Sequence, residues 1–209
     1  MHMSEWIISN TKQLEVARKA WGELSDGAHE DFEGHRVVKT RKYVLVMPKL
    51  DQWPQDGKAG NERLIRVAVY PKPEHIDQFL AAKANLRAGG PSDSRPGAVG
   101  SIALLVRSNG ELSLSNAQAH FKIGAEPGFI HRDLADYYGG WRFYALKKAV
   151  QIAKLRGSDM EIETSHVYRR PSTLGGSRSA FHEDLLKIAR ETGTKLKAGV
   201  QFYRLKTKD

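Results

Sequence analysis

The chain has 209 residues, 33 Lys and Arg against 24 Asp and Glu, a formal net charge of +9, and no cysteine. The length favours one globular domain with a real core, and the lack of cysteine excludes disulfides, thiolate metal sites and a cysteine nucleophile. No apolar run approaches the roughly 20 residues of a membrane helix, and the first five residues do not resemble a signal peptide. We expect a soluble, cytoplasmic protein that does not bind membranes.

The spacing of apolar residues predicts the secondary structure along the chain. The predicted elements are, in order, a helix over 11–24, strands over 36–47 and 64–70, a helix over 74–88, strands over 101–106 and 111–121, a helix over 141–156, a strand over 159–168, a helix over 179–192 and a strand over 195–205. A charged connector is predicted over 28–35 and irregular structure over 126–138. This order favours a mixed α/β (α+β) protein, with helices packed on a central mixed sheet.

The domain organisation is predicted from glycine and proline usage. Residues 88–100 contain Gly and Pro at a density that prevents regular structure. We therefore expect a single domain over 1–209, in which any sub-boundary falls within 88–100.

Most of the excess positive charge lies in the last third of the chain. Residues 142–209 contain 15 Lys and Arg and 7 Asp and Glu, which is +8, so residues 1–141 hold the other 18 and 17, which is +1. This concentration favours an anionic partner, either nucleic acid or a phosphate-bearing ligand. The alternative is a solvated helix face with a loose basic tail. The sequence does not indicate an oligomeric state.

Two glycines precede the strongest predicted helix. Gly139 and Gly140 let the backbone approach a phosphate closely, and the helix start offers unpaired N–H groups at the positive end of the dipole. Arg142 would add a fixed positive charge. We predict that Gly139, Gly140, Trp141 and Arg142 bind an anionic cofactor. The alternative is an ordinary turn, with Trp141 in the core.

The order of elements over residues 100–209 resembles the GNAT superfamily of N-acyltransferases. The resemblance rests on a strand hairpin, a glycine turn, a helix, a strand, a helix and an aromatic final strand. In that family the turn before the third helix cradles the pyrophosphate of acetyl-CoA, usually with an Arg/Gln-x-x-Gly-x-Gly/Ala pattern. Here the turn reads Asp136-Tyr137-Tyr138-Gly139-Gly140-Trp141, without the leading basic residue or the final small one. The resemblance implies acetyl-CoA or another acyl-CoA as cofactor.

A second candidate site is the loop over 168–178, which precedes a predicted helix. Arginine forks, hydroxyl groups and a helix N-terminus all suit phosphate oxygens. The residues predicted to contact nucleic acid or another phosphate are Arg169, Arg170, Ser172, Thr173 and Arg178. The alternative is a surface loop in which a serine caps the following helix.

The strand before this loop contains the candidate catalytic residues Glu161, His166 and Tyr168. A carboxylate beside a cationic loop could act as general base, and an imidazole could transfer protons near neutral pH. Alternation places Glu161 with Glu163 on one face of the strand and His166 on the other. The alternative is an exposed strand face whose glutamates pair with Arg or Lys.

Two further groups of residues receive weaker predictions. His120, His131 and Asp133 lack the spacing of a metal site, so we predict no metal. Aromatic residues beside two arginines could stack on nucleic-acid bases, although such clusters are more often core. These aromatic residues are Tyr137, Tyr138, Trp141, Phe143 and Tyr144.

Two hypotheses for the function follow. The first is a GNAT-like, acyl-CoA-dependent N-acyltransferase with a basic C-terminal third. The second is a DNA- or RNA-binding or processing protein that uses the arginines of the loop. An interaction module within a larger assembly is a third reading.

Overall fold

A computed structural model describes residues 3–53, 64–82, 96–163, 178–199 and 202–206. Within these ranges the helices are α1 (Met3–Glu23), α2 (Pro73–Ala81), α3 (Arg132–Tyr137), α4 (Trp141–Leu155) and α5 (Arg178–Thr192), with a short 3-10 helix over Leu50–Gln52. The strands are β1 (His29–Phe32), β2 (His35–Lys39), β3 (Val44–Pro48), β4 (Leu64–Tyr70), β5 (Gly100–Val106), β6 (Leu112–Ala119), β7 (Met160–Glu163), β8 (Lys195–Ala198) and β9 (Phe202–Lys206).

The strands form one mixed sheet, which confirms the predicted fold class. The strand order is β1-β2-β3-β4-β5-β6-β7-β9-β8. Strands β1 to β4 pair antiparallel, β6 and β7 pair parallel, and β9 pairs antiparallel with both β7 and β8. The helices pack on this sheet, as the sequence predicts.

Three predicted elements are wrong because each of them contains part or all of a hairpin. The single strand over 36–47 is the β2–β3 hairpin, whose turn is closed by Thr40: its hydroxyl accepts the N–H groups of Lys42 and Tyr43. The single strand over 195–205 is the β8–β9 hairpin. The charged connector over 28–35 contains β1, joined to β2 by Glu33 and Gly34, both with positive φ, as a tight hairpin turn requires.

Two helix boundaries illustrate how local sequence sets the ends. The segment over 126–138 is not wholly irregular, because it contains α3, which begins after His131. Helix α4 ends where predicted: Gly157 has φ +65° and its N–H donates to the carbonyl of Lys154, while Ser158 N–H donates to that of Ala153. The described part of the helix predicted over 74–88 ends at Ala81.

The chain divides into two compact units that alternate along the sequence. Unit 1 comprises Met1–Gln52, Val67–Ser101 and Ala119–Trp141, and unit 2 comprises Trp53–Arg66, Ile102–Gln118 and Arg142–Asp209. The chain passes from one to the other within β4, β5 and β6 and again at the start of α4. These passages do not coincide with residues 88–100.

Unit 1 is built around the buried face of α1. The apolar positions of this helix, such as Leu14 and Ala17, pack on β-branched and aromatic residues of the neighbouring strands, such as Val44 and Tyr70. Lys39 is also buried, at 8% exposure, and its ammonium donates to the carbonyls of Trp21 and Leu24 at 2.8 and 2.5 Å. It thereby satisfies carbonyl groups near the end of α1 that have no partner within the helix.

Unit 2 contains the parallel strands β6 and β7 and the helices α4 and α5. Strand β6 leads through the chain to α4, which returns to β7, and α5 then leads to the β8–β9 hairpin. One face of these strands is apolar and includes Leu114, Ile162 and Tyr203, all buried. The ring of Tyr203 lies 5.6 Å from that of His182, so α5 packs on this face.

Candidate functional site

The predicted glycine turn lies in unit 1, between α3 and α4. Gly139 leaves no room for a side chain, because a Cβ there would lie 2.9 Å from the carbonyl oxygen of Asp136. Gly140 has φ +81°, and a Cβ there would meet nothing within 4 Å. The turn is therefore tight on one side and open on the other. A helix, and not a strand, precedes it.

The turn is oriented by a residue that is distant in sequence. The hydroxyl of Tyr43 donates to the carbonyls of Tyr138 and Gly139, at 3.0 and 2.9 Å. Because the N–H of Gly140 belongs to the same planar peptide group as the Gly139 carbonyl, it points away from Tyr43. The turn thus presents a backbone donor on the side opposite to the buried tyrosine. Burial raises the pKa of Tyr43 to about 12, so it remains a donor at neutral pH.

The other two residues predicted at the cofactor are directed inward. Trp141 is 4% exposed, so only its backbone is available to a ligand. Arg142, in unit 2, lines a cavity of about 20 Å³ together with Asp184 and Phe143, which has room for about one water. Burial lowers the pKa of Arg142 to about 10 and raises the pKa of Asp184. The guanidinium remains charged at neutral pH.

The parallel strands of unit 2, β6 and β7, are joined by a ladder with three described pairs. The ladder pairs Leu112 with Met160, Ser113 with Glu161 and Leu114 with Ile162. Strand β6 continues for five further residues, to Ala119, whereas the described part of β7 ends at Glu163. In a parallel arrangement, ligands bind beyond the carboxyl ends of the strands.

The β5–β6 hairpin contains one extra residue on its β6 side. At the hairpin turn Arg107 N–H donates to the carbonyl of Glu111, and at the other end His120 N–H donates to that of Val99. Between these bonds the β5 side spans eight residues (107 − 99) and the β6 side nine (120 − 111). The extra residue forms a β-bulge between Glu111 and His120.

Glu161 is held by two arginines. Its side chain is 4% exposed, and its two oxygens lie 2.7 Å from Arg107 and 2.7 Å from Arg204. Arg204 also lies 3.7 Å from Glu111, and Arg107 donates to the hydroxyl of Ser113. The glutamate therefore joins the β5–β6 hairpin to β9. The alternative interpretation of the sequence was an exposed strand face whose glutamates pair with Arg or Lys; the arginine pairs are present, but Glu161 is buried. A catalytic role for Glu161 stays a prediction.

The remaining predicted site residues lie outside the described part of the chain. They are His166, Tyr168, Arg169, Arg170, Ser172 and Thr173. Arg178 is the first residue of α5. Their predicted roles stay predictions.

Many described cations of the basic C-terminal third are engaged within unit 2. Lys147 pairs with Glu191, Lys206 with Asp159, and Lys154 donates to the carbonyls of Thr192 and Gly193. Lys195 and Lys197 are exposed on β8. The charge of the described part is thus more evenly compensated than the composition indicates.

Neither a metal centre nor a membrane-spanning helix is found in the described ranges. No group of three or more His, Asp or Glu side chains there could hold a metal ion. The helices described are each too short or too polar to cross a bilayer.

Sequence reasoning missed the residues that organise both regions. Tyr43 and Tyr138 contact each other across 95 positions, and Arg107 and Arg204 reach Glu161 from other strands. No local pattern marks such partners, because they are brought together only by the sheet order.

Comparisons with protein-family models, curated proteins and solved structures find no match to this chain.

Proposed function

We propose that the protein is an N-acyltransferase that takes its acyl group from acetyl-CoA or another acyl-CoA. The observation that carries this proposal is in unit 2: β6 runs parallel to β7, continues five residues past their last described pair, Leu114 with Ile162, and contains a bulge between Glu111 and His120. Bulges are often found beside active sites. An acyl-CoA cleft requires two neighbouring strands to part, and this proposal puts the cleft at the carboxyl end of β6 and β7.

The chemistry of the cofactor suits such a site. Beyond Leu114, β6 continues to Ala119, past the last described pair with β7. The pantetheine arm of CoA is an extended chain with amide groups, and such a chain can pair with an exposed strand backbone. The amine of the acceptor would then attack the thioester carbonyl: a C–N bond forms, the C–S bond breaks, the nitrogen loses a proton and the thiolate takes one up.

The glycine turn supplies a second argument, within unit 1. Its open side at Gly140, with the N–H directed away from Tyr43, suits the oxygen of a pyrophosphate. Gly139 and Gly140 are the residues to which the GNAT resemblance assigns this group. For proton transfer from the acceptor, His166 and Tyr168 remain the predicted residues.

A thermal shift experiment tests the proposal. Acetyl-CoA should raise the melting temperature of the full chain, because a ligand at a hundredfold excess over its Kd adds about 2.7 kcal/mol to the free energy of unfolding. Gly140→Asp should abolish the shift, because it places a carboxylate on the open side of the turn. Gly27→Asp is the matched control, since Gly27 also has a positive φ and no atom within 4 Å of a built Cβ. A parent protein that does not respond to millimolar acetyl-CoA, or a Gly140→Asp variant that responds like the control, would refute the proposal.

Nucleic-acid binding is the second candidate function. The observation in its favour is the edge hairpin, where Lys195 is opposite Lys206 and Lys197 is opposite Arg204, so that one face of two strands carries four cations. Two of them, Lys206 and Arg204, form ion pairs with carboxylates of unit 2. Lys195 and Lys197 are exposed there. The arginines of the predicted loop would extend this charge.

A further inference from the structure

One aromatic side chain of unit 1 is exposed although its neighbours are buried. Tyr137, the last residue of α3, is 38% exposed, whereas Tyr138 is fully buried. Of the five aromatic residues that the sequence offers for stacking, Tyr137 is the most exposed, and Tyr138 and Trp141 belong to the core. A half-exposed tyrosine leaves an aromatic surface in water that a ligand can cover.

The ring of Tyr137 packs against Tyr138 and His75. It meets Tyr138 edge to face at 4.9 Å and His75 at 6.0 Å. The hydroxyl of Tyr138 lies 2.7 Å from Nδ1 of His75 and accepts the N–H of Lys72 at 3.0 Å. Because buried groups hold it on one side, Tyr137 loses little freedom when a flat ligand stacks on the other.

Two ammonium groups lie beside this ring. Nζ of Lys42 is 4.6 Å and Nζ of Lys72 is 5.9 Å from the ring centroid. Lys72 is also 4.0 Å from Glu74, which is a loose surface pair. In the described part of the chain Lys42 has no carboxylate within 4 Å, and its ammonium contacts the ring alone. The charge of Lys42 is therefore available to an anion.

We propose that Tyr137, Lys42 and Lys72 form a binding site for a phosphorylated nucleoside. When the ligand binds, the base takes the place of the Lys42 ammonium over the ring of Tyr137, and its phosphate is bound by the two ammonium groups, which turn away from the ring. The β2–β3 turn supplies Lys42, the segment before α2 supplies Lys72, and α3 supplies the ring. The inference does not depend on the proposed acyl transfer, because it concerns nucleoside and phosphate chemistry alone.

Calorimetric titration of the full chain with adenosine 3′,5′-bisphosphate tests the site. Tyr137→Ala should weaken binding at least about fivefold, which corresponds to the lower end of base–aromatic stacking, and Tyr137→Phe should retain it. Lys42→Gln, a change at a side chain that contacts only the ring, should weaken the bisphosphate but leave the weak binding of unphosphorylated adenosine unchanged. Tyr144→Ala and Lys148→Ala are the controls, because Lys148 lies 5.5 Å over the ring of Tyr144 in unit 2.

The proposal is overturned if the parent protein does not bind the bisphosphate. It is equally overturned if Tyr137→Ala and Lys42→Gln both bind within twofold of the parent, or if the control variants lose as much affinity as these two.

The source of the ligand is separated by competition. If acetyl-CoA displaces the bisphosphate and its own affinity falls in Tyr137→Ala, the site holds the nucleotide end of CoA. If acetyl-CoA does not bind but AMP does, in a manner that depends on Tyr137, the site takes a free nucleotide; the acyltransferase proposal then fails while this one stands. If acetyl-CoA binds equally to the parent and to Tyr137→Ala, and neither the bisphosphate nor AMP binds in a manner that depends on Tyr137, the acyltransferase proposal stands and this one fails.

Discussion

Replacing Glu161 with glutamine removes the charge that two arginines share. The carboxylate is 4% exposed and lies 2.7 Å from each guanidinium, whereas the Arg107 and Arg204 side chains are 40% and 39% exposed. A hydrogen bond to a charged group contributes about 1.5–3 kcal/mol. Arg204 makes this hydrogen bond and Arg107 forms an ion pair. Both arginines can regain water when released, and the amide of glutamine retains one acceptor, so we expect a total loss of about 2–3 kcal/mol for the two interactions together.

Thermal unfolding measures this loss. For a chain of this size, about 2–3 kcal/mol lowers the melting temperature by roughly 4–12 °C. Asp77→Asn is the control, because Arg18 and Asp77 form an ion pair whose side chains are 51% and 85% exposed, and its loss should shift the midpoint by no more than about 2 °C. The acetyl-CoA shift should be the same in Glu161→Gln as in the parent. A variant that melts like the parent but no longer transfers acyl groups would refute this reasoning and make Glu161 the general base.

Two further predictions concern pH and nucleic acid. Burial lowers the pKa of His35 below its usual value of 6.5; the charge of Lys12 adds to this effect and the carbonyl of Glu33 opposes it. As pH falls, His35 is therefore protonated more readily in the unfolded chain than in the folded one. The free energy of unfolding should therefore fall as pH drops through 6.5, and urea titrations should show a smaller fall in His35→Gln; an equal fall in both would contradict this. If the loop binds nucleic acid, affinity plotted against salt concentration on logarithmic axes should fall less steeply once its three arginines are changed to alanine. Each phosphate contact that is lost reduces the slope by about 0.9, for up to three contacts. The control is Arg41→Ala with Lys122→Ala, two exposed cations of unit 1, and an equal reduction per cation there, or no binding of DNA or RNA by the parent at low salt, would remove the loop as a site. The three arginines are Arg169, Arg170 and Arg178.

The fold could be predicted as far as local patterns reach. The strand over 64–70 and the end of α4 before Gly157 follow from the strand pattern and from helix capping. Two hairpins could not be found: Thr40 closes one turn through its side chain, and in the other Glu33, next to Gly34, adopts a positive φ that its residue type does not indicate.

The place of the glycine turn could be predicted from the sequence, but the contacts that orient the turn could not. The glycine turn at Gly139 and Gly140 is visible in the sequence, yet its orientation depends on Tyr43, which joins it only in the folded chain. The bulge in β6 is equally hidden, because it appears only when the hydrogen bonds at the two ends of the hairpin are compared. Such features depend on long-range pairing, which local propensity does not encode.

The alternation of the two units along the chain has a consequence for biosynthesis. Unit 1 begins with Met1–Gln52 but is complete only once Trp141 has left the ribosome, and unit 2 begins with Trp53–Arg66 but needs the hairpin over 195–206. Neither unit can therefore fold fully when its first strands leave the ribosome. The strands that pair with them in the folded protein are translated later, so their apolar side chains stay unburied until then. No single cleavage of the chain separates the two units intact, so neither unit can be produced as one continuous fragment.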